Sequence, residues 1–239
     1  MAGQRRLRLL GRLVGSGAQL DVKRLCEVSA EVTGTSGGGI MVTADDVPAG
    51  SICSTDRPSA VVEELQFALG EGPCVDAYNG GRPVSEPDLA APANPRWLAF
   101  SGPALDAGVR AVFGLPLRVG AIRLGSLNLY RDEAGELSDE EHADGLTMAD
   151  IVSETLLVLQ ANAPPGTLAQ ELEVGADFHY VVHQASGMVA AQLDISVGQA
   201  LIRLRAYAFG NERALSDVAE EVVARILRFD GPGERDQAL

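Results

Sequence analysis

VRAVFGLPLRVGAIRLGSLNLY, residues Val109 to Tyr130, decides the fold class. Val109, Ala111, Phe113, Leu115, Leu117 and Val119 alternate without a fault, with Arg110 and Arg118 on the other face, the period-two signature of a strand. Val119-Gly120 reads as a turn, and Ile122 to Tyr130 returns as the partner strand. Its apolar phase flips at Gly125, from Ile122 and Leu124 to Leu127 and Leu129, which predicts a β-bulge there. Downstream, Ser138 caps a helix running to about Gln160, with Asp139, Glu140 and Glu141 in its first turn. Upstream, Gln19 to Val32 is helical on the stripe Leu20, Leu25, Val28 and Val32. Thr33 to Gly39 reads as a glycine-rich turn, followed by short strands at Ile40–Thr43 and Ser51–Ser54. Pro58 opens a helix carrying Val61, Leu65 and Leu69, which Gly70-Glu71-Gly72-Pro73 breaks. A short antiparallel sheet flanked by helices is the outline of a ligand-binding sensor domain.

At 239 residues the chain has room for two ordinary domains, and 46% hydrophobic with 22% charged residues is the composition of a folded protein. No apolar run approaches the ~20 residues of a membrane helix. Arg8 and Arg12 interrupt the leucines near the N-terminus, so an amphipathic lead-in helix is expected there and not a secretory signal. Cys26, Cys53 and Cys74 are odd in number and widely spaced, which argues against a disulfide framework and against zinc. Together these features point to the cytoplasm. His179 and His183 lack a third metal ligand nearby and read as helix-surface residues. The net charge is −14, with 19 basic residues of which only Lys23 is a lysine. Such a chain cannot bind nucleic acid through a diffuse basic surface; a few placed arginines would have to do it.

The run Asn162-Ala163-Pro164-Pro165-Gly166 ends the mixed α and β part, and everything after it reads as helix. Val182, Ala185, Val189 and Leu193 mark one helix. Ser196 caps a second, on the stripe Val197, Ala200, Leu201, Leu204 and Ala208, which Gly210-Asn211 stops. Ser216 is expected to cap a third, with Val218, Val222, Val223 and Ile226 inward. At about 100° per residue, Arg203 and Tyr207 fall side by side off the buried stripe, a platform suited to an unstacked base. Arg205 lies on the opposite shoulder, and Ile202 and Phe209 form a second apolar face suited to a partner subunit or to the linker helix. Residues 177–230 hold five arginines and seven carboxylates, so any RNA contact rests on few side chains.

Two resemblances follow. Leu69-Gly70-Glu71-Gly72-Pro73-Cys74-Val75-Asp76-Ala77-Tyr78, Pro83-Val84 with Asp88-Leu89, and Arg96-Trp97 with Phe100 resemble segments of bacterial GAF domains. The run Gly108 to Leu117 and Leu124-Gly125-Ser126-Leu127-Asn128-Leu129-Tyr130 continue that likeness, over about residues 20 to 160. Gln184-Ala185-Ser186-Gly187-Met188, Ser196 with Ala200, Leu204-Arg205, Ala208, Asn211 and Leu215-Ser216-Asp217-Val218-Ala219 resemble the ANTAR domain. Ser186 stands where that family usually has lysine. The resemblances imply an α+β GAF sensor over residues 19–161, a linker over 162–176, and an all-α three-helix ANTAR domain over 177–230. A lead-in over 1–18 and a tail over 231–239 complete the expected organisation.

The implied function is a signal-dependent RNA-binding transcription antiterminator. It would bind tandem hairpin loops in messenger RNA leaders as a homodimer, with a small-molecule ligand in the GAF domain and no membrane contact. Ser186, Gly187, Arg203, Arg205, Tyr207, Asn211 and Arg213 are the implied RNA-binding residues; no catalytic residue, metal ligand or named cofactor is expected. A DNA-binding regulator with a GAF sensor is the alternative. It needs a recognition helix beyond the one at Leu215–Glu221, yet only ten residues follow Phe229. Asp45-Asp46 mimics the acidic pair of a receiver domain, but the required late lysine is missing. For an enzyme there is no nucleophile elbow or phosphate loop, and Cys74 reads better as a packed cysteine than as a reactive thiol.

Overall fold

The computed structural model describes residues 2–14, 21–44, 47–92, 95–162, 169, 172 and 179–229. The pair Asp45-Asp46, most of the linker and the tail lie outside the described residues. A five-stranded antiparallel sheet runs in the order β2-β1-β5-β4-β3. Its strands are β1 Gly37–Ala44, β2 Val47–Ser54, β3 Val84–Glu86, β4 Ala111–Val119 and β5 Ile122–Arg131. The β4–β5 hairpin forms as read. Leu117 pairs with Gly125 but Arg118 pairs with Arg123, so Leu124 is the extra residue of the predicted bulge.

Helices cover both faces of the sheet. On one side lie α1 (Ala2–Val14), α2 (Val22–Val32) and α6 (Asp139–Ala161), closing on Ile40, Phe113, Leu115, Leu127 and Leu129. The lead-in helix α1 belongs to this layer: Leu9 and Leu13 are buried in it. Its Arg5 and Arg8 reach the buried Asp144 of α6 at 2.8 and 2.7 Å. Helix α6 starts at Ser138 through a reciprocal capping box with Glu141, as the sequence predicts. On the other side α3 (Arg57–Leu69), α4 (Pro73–Gly80) and α5 (Ser101–Asp106) pack Val62, Ala77, Phe100 and Ala104 against Val112 and Tyr130. Both faces being covered, the polar-out alternation expected around Arg110 does not extend along β4, where Val112 and Gly114 are also buried.

Three expectations fail here. Gly37 to Gly39 are strand residues of β1, not a turn. Any Cβ on Gly39 would lie 2.7 Å from the Glu63 carboxylate, so the glycine makes room for a side chain from α3. Cys26 of α2 and Cys53 of β2 form a disulfide, contrary to the reading of the cysteines, and Cys74 alone is a free thiol. The compartment argument drawn from unpaired cysteines therefore loses its premise. Among the described residues, no helix is long and apolar enough to cross a membrane.

The C-terminal residues form α7 (Tyr180–Leu193), α8 (Val197–Gly210) and α9 (Leu215–Val223). Val182, Ala185, Val189, Ala200, Leu201, Leu204, Ala208, Val218 and Val222 make their core. Val197, on the predicted stripe, is 44% exposed. Ser196 caps α8 in a box with Gln199. Ser216 does not cap α9: the extended residue before that helix is Ala214, two residues earlier than the cap expected. The helix then ends at Val223, and Ile226, expected inward, is 77% exposed.

Candidate functional site

The second face of the sheet carries a buried polar cluster under α3 and α4. Glu63 and Gln66 come from α3, Cys74 from α4, and Ser126 and Asn128 from β5, all almost fully buried. Asn128 Nδ2 donates to Glu63 Oε1 at 3.1 Å, and the Cys74 amide donates to Gln66 Oε1 at 2.7 Å. Ser126 Oγ donates to the Cys74 carbonyl at 2.8 Å. Glu63 Oε2, Gln66 Nε2 and Asn128 Oδ1 have no hydrogen-bond partner among the described residues. Burial pushes the Glu63 carboxyl up to about 8 against the lowering influence of Asn128. Burial, with the nearby Glu63 charge, also pushes the Cys74 thiol well up, which disfavours its thiolate.

A carboxyl whose pKa rises on folding, from an ordinary value of 4.5 to about 8, takes up a proton as the chain folds. Its contribution to stability is full below pH 4.5, declines as pH climbs to about 8, and is flat beyond. The Glu63→Gln variant is expected to remove this decline. Urea midpoints of the two proteins compared at pH 5 and pH 8 check it: the parent should lose stability between them and the variant should not.

The segments that carried the N-terminal resemblance turn out to be clamps. Glu71 Oε1 accepts from the amides of Ala99 and Phe100 at 2.7 and 2.9 Å, and Asp76 accepts from Trp97 Nε1 at 3.0 Å. Asp88 pairs with Arg110, which holds its carboxyl below the usual carboxylate range. These residues fix the loop that runs over α4; none lies free for chemistry.

The implied RNA-binding residues are scattered by the structure. Arg203 is exposed on α8 and makes no ion pair among the described residues. One turn on, Tyr207 is half-buried with Phe229 edge-on at 5.4 Å. Gly187 and Asn211 are exposed, Asn211 Nδ2 donating to the Tyr207 carbonyl at 2.8 Å. Ser186 is fully buried and its hydroxyl donates to the Val182 carbonyl, so it faces the three-helix core and not a phosphate. Arg213 is spent on a two-point ion pair with Glu221 at 2.9 and 2.8 Å. Arg205 points into the N-terminal domain: its Nη2 donates to the Phe67 carbonyl, its guanidinium lies 5.6 Å from the Phe67 ring centre, and Nε is buried without a partner among the described residues. Burial lowers its pKa to about 10, which leaves it cationic at neutral pH.

Arg205 belongs to a seam that sequence reasoning missed. His179 stacks on Phe67 at 3.9 Å and meets Glu64 at 3.2 Å, while His183 Nε2 lies 2.8 Å from the Ala49 carbonyl. Neither histidine is the ordinary surface residue it was expected to be. Beside the seam, between α4, the β1–β5 edge and α8, lies a cavity of about 260 Å³ lined by Met41, Thr43, Tyr78, Leu201 and Arg205 among others. Among the described residues, no group of acidic, cysteine and histidine side chains is arranged to hold a metal.

A family model described as the GAF domain matches residues 22–156. The chain belongs to the GAF domain family. The polar cluster therefore sits inside the GAF domain and the cavity at its border with α8. No curated protein matches the chain. Among solved structures, the GAF domain is similar to that of a phosphoenolpyruvate-protein phosphotransferase from Coxiella burnetii, at 16% identity and TM-score 0.47, covering 66% of this chain and 96% of that one. It is also similar to a GAF domain of an Acinetobacter phosphoenolpyruvate-protein phosphotransferase, at 10% identity and TM-score 0.47, covering 68% and 96%. A free methionine-R-sulfoxide reductase from Neisseria meningitidis, solved with its substrate, matches at 16% identity and TM-score 0.43, covering 64% and 88%.

Proposed function

We propose that this chain is a signal-dependent RNA-binding regulator of transcription antitermination, without enzymatic activity, in which the GAF domain governs helices α7 to α9. The observation that carries the reading is the placement of the exposed Arg203 one turn before the half-buried Tyr207 on α8. There a guanidinium and an aromatic ring can take a loop base between them. The resemblance of the three helices to the ANTAR domain supports it. Paired hairpin loops require two copies of the module, so the working form is a homodimer, with the 62% exposed Ile202 and the 67% exposed Phe209 offering apolar contact on α8. The DNA-binding alternative lacks support: α9 ends at Val223, and the residues described beyond it add no helix to lie in a major groove.

The test is binding of the full chain to RNA carrying tandem hexaloop hairpins. Arg203→Ala and Tyr207→Ala are each expected to weaken binding about ten-fold, because a base stacked on such a platform contributes roughly 1–3 kcal/mol. Failure to bind any such RNA sinks the function. Binding by both variants at parental strength sinks the site.

A further inference from the structure

We infer that the cavity between the GAF domain and α8 is a binding site for a small monocarboxylate with an apolar body, and that its occupant holds the C-terminal helices docked. The volume of about 260 Å³ is at the small end for ligand sites, which fits a metabolite of a few carbons and not a nucleotide. Its walls are largely apolar, with Met41 and Val75 on the GAF side and Leu201 and Ile202 on α8. Among the described residues Arg205 is the one charged side chain lining it. In a chain of net charge −14 a half-buried guanidinium turned toward an apolar cavity stands out. Phe67 accepts from Nη2 only, and Nε is left buried and unmatched among the described residues. Thr43 lines the same cavity, and its hydroxyl is likewise buried and unmatched. Neither atom touches the open cavity as it stands. A buried donor left unmatched costs about 1–3 kcal/mol, so a ligand whose acceptor oxygens draw the two side chains inward recovers that loss. A charged donor, a hydroxyl and an apolar wall together select a carboxylate on a short hydrocarbon.

The site exists only while α8 lies against the GAF domain, because Arg205, Leu201 and Ile202 come from one unit and Met41, Thr43 and Val75 from the other. A ligand that touches both units binds the docked arrangement and stabilises it. Docked, Arg205 is turned away from solvent, and α8 is held against the GAF domain. Arg203 and Tyr207 keep their places in the docked arrangement, so the carboxylate lowers RNA affinity by withholding Arg205 alone, a consequence that rests on the function proposed above; the ligand site does not.

The test uses the full chain with hexanoate and benzoate as probes and hexanamide and benzamide as neutral controls. Calorimetry measures binding, and hydrogen exchange of the α8 amides measures docking. Expected are millimolar or tighter binding of at least one carboxylate, at least ten-fold preference over its amide, and five-fold or greater slowing of α8 exchange at saturation. Arg205→Met, which keeps the aliphatic stem, should weaken binding ten-fold or more. Thr43→Val, a near-isosteric change at a different element, should weaken it several-fold even if Arg205→Met proves unstable. Absence of binding by both carboxylates, equal binding of the amides, or full binding by Thr43→Val together with any folded Arg205→Met overturns the site. Carboxylate binding that protects α8 but leaves affinity for a hairpin RNA unchanged overturns the antagonism while the site stands; failure of the chain to bind RNA with or without carboxylate overturns the function instead.

Discussion

Phe67→Ala is expected to cost about 3–5 kcal/mol, the usual loss for emptying a buried phenylalanine site, and to take most of it at the seam between the two units. Phe67 belongs to α3 of the GAF domain, yet it shares a cluster with the core of α7 to α9. Its ring is 1% exposed, lies flat against His179 at 3.9 Å, and meets the edge of His183 at 5.8 Å. The Arg205 guanidinium sits over the same ring. Truncation removes the surface on which three side chains of the C-terminal unit rest, and leaves Arg205 buried with a poorer partner. The sheet face under α1, α2 and α6 does not touch Phe67 and should keep its strength. Hydrogen exchange should therefore speed up in α7 and α8 while β4 and β5 stay protected, and urea unfolding should separate into two steps. A uniform rise across the chain would show that the two units unfold as one. Under the proposed function the same variant binds hairpin RNA more tightly, since α8 is released.

Gly125→Ala is expected to destabilise the fold by about 4 kcal/mol, combining backbone strain and overpacking of roughly 1–3 kcal/mol each. Gly125 has φ +154°, and a Cβ there would lie 2.0 Å from the Met41 carbonyl oxygen across the β1–β5 pairing. The oxygen is backbone and the backbone fixes where a Cβ stands, so nothing short of moving β1 or β5 relieves the contact. The residue also stands next to the bulge at Leu124, where β5 changes which face its side chains present. Gly187→Ala is the control: on α7 an added Cβ meets nothing within 4 Å, and a gain of roughly 0.5–1 kcal/mol is expected from lower chain entropy. Thermal unfolding of both variants beside the parent decides the matter; a harmless Gly125→Ala would mean that β1 and β5 are paired differently.

Much of the GAF fold is legible in the chain because its signals are local. The β4–β5 hairpin and its bulge follow from alternation alone, and the starts of α6 and α8 follow from Ser138 and Ser196 with their partners three residues on. The glycine run at 37–39 is misread because its cause is remote: the space is kept clear for Glu63, which arrives from another element. The Cys26–Cys53 disulfide is missed for the same reason, since 27 residues separate the two and only the packing of α2 against β2 brings them together. The candidate site divides likewise. Arg203 and Tyr207 are placed together by helical period, while nothing local distinguishes Arg205, two residues from each.

By itself the sequence determined the β4–β5 hairpin, the caps at Ser138 and Ser196, the α+β domain followed by three helices, and the pair Arg203 and Tyr207, because period, capping and turn chemistry act over a few residues. Only the tertiary structure decided that Arg205 faces inward, that Ser186 and Arg213 are committed elsewhere, and that a cavity closes between the GAF domain and α8. Ser186 and Arg213 are committed within their own unit, to Val182 and Glu221. The placing of Arg205 and the cavity depends on surfaces that meet across more than a hundred residues of chain, as with Arg205 and Phe67, 138 positions apart. Burial and charge pairing across such a seam are properties of the assembled faces and not of either segment alone.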